Sequence, residues 1–303
     1  LFPLGDLIVG LEGTDAGRRL ATILALAAAF LHALFGALQK GRHDPWLSRG
    51  VIDVCYGAMA APLALFVVPW PEPHLWALLG LAWLVHVGYK LAQAWTYTYG
   101  AFTVVYPVVR GTGPFFTVLG AGLIFGETYT ALQWVGVATL LGGIYGLAVY
   151  NLRHVTLGRR ELPRALGLAV LTGGFVALYT TVDAYGIRAT ADPFTFLAWF
   201  FFLDGMFSVM APIALWRWLR LRPAAGPILA RGLIGAVVAF LSFGSVMLAT
   251  RLDKVGEAAV LRETSVVFAA LIGWLMLGES TGPRRVALMA LIAAGAVLVE
   301  SGG

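Results

Sequence analysis

Two arginines stand out against an apolar background. Arg110 lies in Tyr106-Pro-Val-Val-Arg-Gly-Thr112 and Arg262 in Leu261-Arg-Glu-Thr264, 152 residues further on. A guanidinium keeps its charge at any working pH and offers a planar fork of donors that matches a carboxylate or phosphate. Two on related segments could form an anion site; the competing role is structural, each arginine holding an acid such as Asp183 or Asp204. His86, Lys90 and Gln93 recur at i, i+4 and i+7, so they share one helix face, and Tyr97 continues it. A buried lysine can lose its proton near neutrality, and so bind an anion or follow proton movement, or it can extend to the nearest helix end. Asp183, one turn after Tyr179, could bind an amine, carry a proton or neutralise an arginine. Glu263 follows Arg262 directly, points to another side of the helix, and could reach a neighbouring one. Tyr106 lies one turn ahead of Arg110. Asp53 and Asp204 fall nearer the ends of their segments and are expected to be less buried.

The elements that carry these groups must live in lipid. The chain has 303 residues, 59% hydrophobic and 12% charged, with a mean hydropathy of +0.83. A soluble domain uses roughly 25% charged residues to cover its surface. Half that supply disfavours a soluble enzyme, and a bilayer resolves the conflict. Stretches of about 20 apolar residues read as ten spans: Leu20–Leu38, Val51–Val68, Leu75–Trp95, Phe102–Phe125, Ala131–Tyr150, Ala165–Tyr185, Phe194–Leu215, Ile228–Ala249, Ala258–Leu277 and Arg285–Val299. At bilayer depth an ionisable group costs about 2.5–3.5 kcal/mol on insertion scales, so the residues above must face a cavity or one another.

Other classes fall away. The net charge of +5 comes from arginine and lysine in short loops, as in membrane proteins, and does not suggest nucleic acid. The lone Cys55 makes no internal disulfide and reads as a packed thiol. No phosphate-binding glycine loop, metal-ligand spacing or nucleophile elbow is present, so no catalytic residue, metal or cofactor is expected and the chain is not read as an enzyme. Residues 1–17 read as a poor signal peptide, and residues 1–19 are left as an unassigned N-terminal extension.

The chain repeats itself. Gly126-Glu127 and Gly278-Glu279 share the 152-residue offset of the two arginines. More loosely, Asp44-Pro45 leads to Ala61-Pro62 as Asp192-Pro193 leads to Ala211-Pro212. The expected organisation is therefore an all-α integral membrane protein of ten transmembrane helices. Residues 20–150 form one five-helix repeat, 151–164 a connecting loop and 165–303 the second repeat. An odd number of spans per repeat inverts the second copy, the plan of many secondary transporters. Glu127 and Glu279 sit in tight hairpins ahead of the fifth and tenth helices, where a carboxylate can accept from the unpaired N–H groups of a helix start. Gly136, Gly142, Gly143 and Gly295 permit close helix packing, within the chain or between two copies in a homodimer. The aromatic run Trp95, Tyr97, Tyr99, Phe102 reads as an interfacial belt.

Tyr106-Pro107-Val-Val-Arg110 through Gly126-Glu127, then Gln133-Trp134-Val-Gly136 and Gly142-Gly143, with Gly278-Glu279 and the Gly295 region in the second half, resemble the EamA-type branch of the drug/metabolite transporter superfamily. Ala259 departs from it, standing where the second half often carries proline. The resemblance implies a central cavity lined by the helices of Arg110 and Arg262, and both termini in the cytoplasm. Loop charges place both termini outside instead, since Lys40, Arg42, Arg49, Arg153, Arg159, Arg160, Arg164 and others crowd the opposite side. Either way the termini share a side.

These readings converge on a secondary transporter in the cell's inner membrane. It would move a small anionic or zwitterionic metabolite, such as an amino acid or organic acid, by alternating access. Two rivals remain: a proton-coupled exporter of drugs or of aromatic or cationic compounds, with Asp183 or Glu263 essential, and a non-transporting scaffold or accessory subunit.

Overall fold

The computed structural model describes residues 3–39, 44–100, 102–154, 161–277 and 282–303, all in helices and short connections. The helices among them are α1 (Pro3–Leu11), α2 (Asp15–Gln39), α3 (Pro45–Phe66), α4 (Pro73–Tyr99), α5 (Phe102–Phe125), α6 (Ala131–His154), α7 (Leu162–Ala189), α8 (Pro193–Met206), α9 (Met210–Leu221), α10 (Ala225–Leu252), α11 (Val255–Arg262), α12 (Ser265–Leu277) and α13 (Pro283–Ser301). Eight stretches of the described residues are long and apolar enough to cross a membrane: α2 to α7, the α8–α9 pair and α10. The ninth and tenth expected spans are not among these eight. Among the described residues the ninth is divided into α11 and α12, and α13 carries Arg284 and Arg285 at its start and Glu300 at its end. Residues 1–19, unassigned from sequence, hold α1 and the first turn of α2.

The two Asp-Pro pairs do the same local work. Asp44 accepts from Leu47 N–H at 2.9 Å and Asp192 from Phe194 N–H at 2.9 Å, each with proline at the first helical position. A side-chain acceptor satisfies an otherwise unpaired donor, and proline has no N–H to lose there. The later prolines part ways. α3 runs on through Pro62, whereas the seventh span, expected as one helix, breaks at 207–209 and restarts as α9 with Pro212 in its first turn. A proline ring clashes with the carbonyl four residues earlier, here Ser208, so ending one helix and starting another removes the conflict.

The chain divides into two compact units, and α4 and α7 each contribute to both. The first unit comprises residues 1–87 and 182–252. Its core includes Ile52, Tyr56, Phe196, Trp199, Phe200 and Phe201. α3 lies hard against the α8–α9 pair, and an added Cβ on Gly205 would come within 2.5 Å of the Asp53 carbonyl and of Gly57. α2 packs on α10, where Ser242 donates to the Ala28 carbonyl at 2.8 Å. Arg251 ties α1 in place, reaching Glu12 at 2.6 Å and the carbonyls of Ile187 and Thr190.

The second unit comprises residues 88–181 and 253–303. α6 and α13 pack through their small residues, where a Cβ on Gly295 would meet the Leu140 amide at 2.4 Å. The glycines Gly136, Gly143 and Gly295 are thus used inside the chain, while Gly142 meets nothing within 4 Å. α5 packs on α6 and α11. Large apolar side chains remain exposed, Phe66 at 84% and Leu123 at 88%, as expected of a surface whose solvent is lipid.

Candidate functional site

One cluster of polar groups in the second unit gathers around a single acid. Glu263 is fully buried, in the two-residue break between α11 and α12. Around that break the backbone tightens to i→i−3 bonds, and the Thr264 hydroxyl takes the Leu261 carbonyl at 2.7 Å. A hydroxyl that occupies a backbone acceptor competes with the helix ladder. The interruption thus falls at the polar triplet Arg262-Glu-Thr264, with no proline needed. α5, by contrast, is continuous through both Pro107 and Pro114.

Arg110 on α5 donates to Glu263 Oε1 at 3.1 Å, and Arg262 Nε lies 3.7 Å from the same oxygen. Arg110 is 6% exposed and Arg262 4%. Two guanidinium groups therefore share one carboxylate, leaving a formal charge of +1. Arg110 Nη2, Arg262 Nε and Nη2, Glu263 Oε2 and the Ser265 hydroxyl are buried with no hydrogen-bond partner. Each unmet buried polar atom costs about 1–3 kcal/mol, more when charged. A cluster of five is a concentrated demand for polar atoms of another molecule.

Aromatic side chains surround this centre. The Arg110 guanidinium lies 5.2 Å from the Tyr106 ring centroid, and Tyr179 and Tyr89 are within its electrostatic reach. The Tyr89 and Tyr179 rings meet edge-on at 5.0 Å, and Gln93 donates to the Tyr89 hydroxyl at 2.6 Å. Lys90 is buried on the same helix, at 2% exposure.

The structure redistributes several expected roles. Asp183, for which neutralising an arginine is one of three expected roles, meets His86 Nε2 at 2.9 Å inside the first unit, with the imidazole against Phe200 and Phe243. The acid of both arginines is Glu263, which does reach a neighbouring helix, and neither Asp183 nor Asp204 fills that role. Asp53 and Asp204, expected nearer the surface, are buried. Asp53 accepts from Ser208 and pairs with Arg49 at 2.8 Å, and Asp204 accepts from Tyr56. The tight α3–α8 contact explains their burial.

Glu127 serves a different helix from the one expected. α6 has its own cap: Thr130 Oγ1 accepts from the Gln133 amide at 3.2 Å, and Gln133 Oε1 accepts from the Thr130 amide at 3.0 Å. Glu127 reaches across to α11, accepting from Val255 N–H at 2.7 Å and Gly256 N–H at 3.2 Å. Glu279 lies outside the described residues. Sequence reasoning passed over Tyr89, although Tyr89, Gln93 and Thr96 form a second polar stripe at i, i+4 and i+7 on α4. Thr96 meets Thr172 at 2.8 Å.

Comparison with known proteins bears on this arrangement. Residues 163–301 match the model of the EamA-like transporter family. No curated protein matches the sequence. One solved crystal structure of a protein aligns at 19% identity with a TM-score of 0.69, covering 92% of this chain and 97% of the other, a likeness of fold. The matched family is one of transporters and not of enzymes.

Proposed function

We propose that this multi-pass membrane transporter, whose residues 163–301 are EamA-like sequence, carries a small anionic or zwitterionic metabolite as a secondary transporter. The observation behind this reading is the pair of repeat-related guanidinium groups that share Glu263 and keep unmet buried donors. Donors on Arg110 and Arg262 suit a carboxylate. The unmet Glu263 oxygen suits an ammonium group beside it, as in an amino acid. Tyr106 and Lys90 of the same unit complete the proposed binding set, and His86 and Asp183, also expected in it, form a separate polar pair within the first unit. The exporter rival gains one observation, the tyrosine rings around a buried glutamate, but two arginines there oppose a cation.

Transport by alternating access requires the two inverted repeats, 20–150 and 165–303. The packing supports them: repeat-related α3 and the α8–α9 pair contact each other, as do α6 and α13, and α5 and α11. Each is a partnership expected across a pseudo-two-fold axis. Residence in the inner membrane belongs to the same proposal; pairing of two copies draws no support from the glycines already used within the chain.

Purified protein in liposomes, offered radiolabelled succinate, pyruvate, L-alanine and L-phenylalanine, tests the reading. Uptake of at least one probe is expected, with Arg110→Ala and Arg262→Ala each lowering its rate at least about tenfold. Wild-type rates in both variants would exclude the anion site.

A further inference from the structure

Gly126 adopts φ +67°, the left-handed conformation open to glycine, and ends α5. That turn sends Glu127 away from its own helix and toward α11. Both carboxylate oxygens are engaged there, one by Val255 N–H and the other by Gly256 N–H, and Tyr129 donates to the second at 2.6 Å. Burial pushes the Tyr129 hydroxyl up, and its bond to Glu127 adds to the shift, so it remains a donor through the working pH range. Gly256 is shaped for this approach: a Cβ there would fall 2.0 Å from the Tyr129 hydroxyl. Lys254 Nζ lies 5.5 Å from the centre of the same ring.

α11 is only eight residues long and ends in Arg262. A helix of two turns has little stability of its own, so its position depends on what holds its ends. Its far end is the break at Glu263; its near end is held by a carboxylate from the hairpin between α5 and α6. We propose that Glu127 is a positioning residue for the anion site, a detachable clasp that sets where α11 presents Arg262 and Glu263. The clasp belongs to another segment, so it can open without unwinding α11, and the site can then rearrange during turnover. This rests on the two-arginine reading above.

The test needs no substrate. In a Cys55→Ser background, Thr264→Cys reports beside Glu263, and Thr112→Cys, its counterpart on α5, reports beside Tyr145. Both positions are buried, 7% and 4% exposed. N-ethylmaleimide labelling rates are read on purified protein. Glu127→Ala should speed labelling at Thr264→Cys about tenfold, the usual scale of a lost cap, and leave Thr112→Cys within about twofold. Glu127→Gln, which keeps an acceptor, should give an intermediate rate. Gly256→Ala, which drives Tyr129 away while keeping the carboxylate on α11, should give a smaller acceleration than Glu127→Ala. Equal acceleration at both reporters would mean general loosening, and no acceleration at Thr264→Cys would mean a fixed brace; either overturns the proposal. Loss of uptake in Arg262→Ala reads the anion site separately, so the two ideas can fail independently.

Discussion

At the scale of single residues, the decisive group is Glu263, the shared counter-charge of two buried arginines. Removing one partner of a buried ion pair commonly costs about 3–5 kcal/mol, because the remaining charge is left uncompensated. Glu263→Gln preserves volume but leaves two guanidinium groups facing each other, so a loss of that size is expected, seen as a clear fall in melting temperature. Adding Arg110→Met to Glu263→Gln should recover part of it, since one of the two stranded charges is gone. Additive losses would show that the groups do not share the acid. The arginines and Glu263 stand out in the sequence by residue type and spacing, because a charge inside an apolar run is conspicuous. Their partnership was not legible. A straight helix puts neighbours about 100° apart, which points Glu263 away from Arg262; the break after Arg262 suspends that rule.

At the scale of elements, most helices followed from composition, and the misreadings occurred where polar side chains override it. Asp44-Pro45 and Asp192-Pro193 announce the starts of α3 and α8, and both caps are made. The breaks at 207–209 and 263–264 were hidden because apolar sequence continues on either side of them. The target of Glu127 was equally hidden: a hairpin carboxylate has the helix that follows it as its nearest candidate, and only the fold brings α11 closer. The contact of α6 with α13 lends itself to a direct test. Gly295→Leu must displace backbone at Leu140 and Gly136, not a pliable side chain. It should destabilise the protein by about 1–3 kcal/mol or more, as overpacking does. The same change at Gly142, which faces open space, should leave melting within a degree or two of wild type.

At the scale of the whole molecule, the ledger of charge against apolar surface separates a membrane chain from a soluble one before any helix is placed. Orientation is a finer matter, on which loop charges and family resemblance disagree. Both place the two termini together. A membrane-impermeant maleimide applied to sealed vesicles should therefore label Thr14→Cys and Gly303→Cys, in a Cys55→Ser background, from the same face. Labelling from opposite faces would require an odd number of crossings and would end the five-plus-five plan.

In the proposed repeat, the first-half segments run as unbroken rods, α3 through Pro62 and α5 through Pro107 and Pro114, while the second-half counterparts, α8–α9 and α11–α12, are each jointed. Under a perfect dyad, swapping the roles of the halves would cost nothing, and the carrier would divide its time evenly between its two openings. Joints on one side only lift that degeneracy. The direction in which this protein idles would then be an inherited bias, set by the few residues at 207–209 and 263–264.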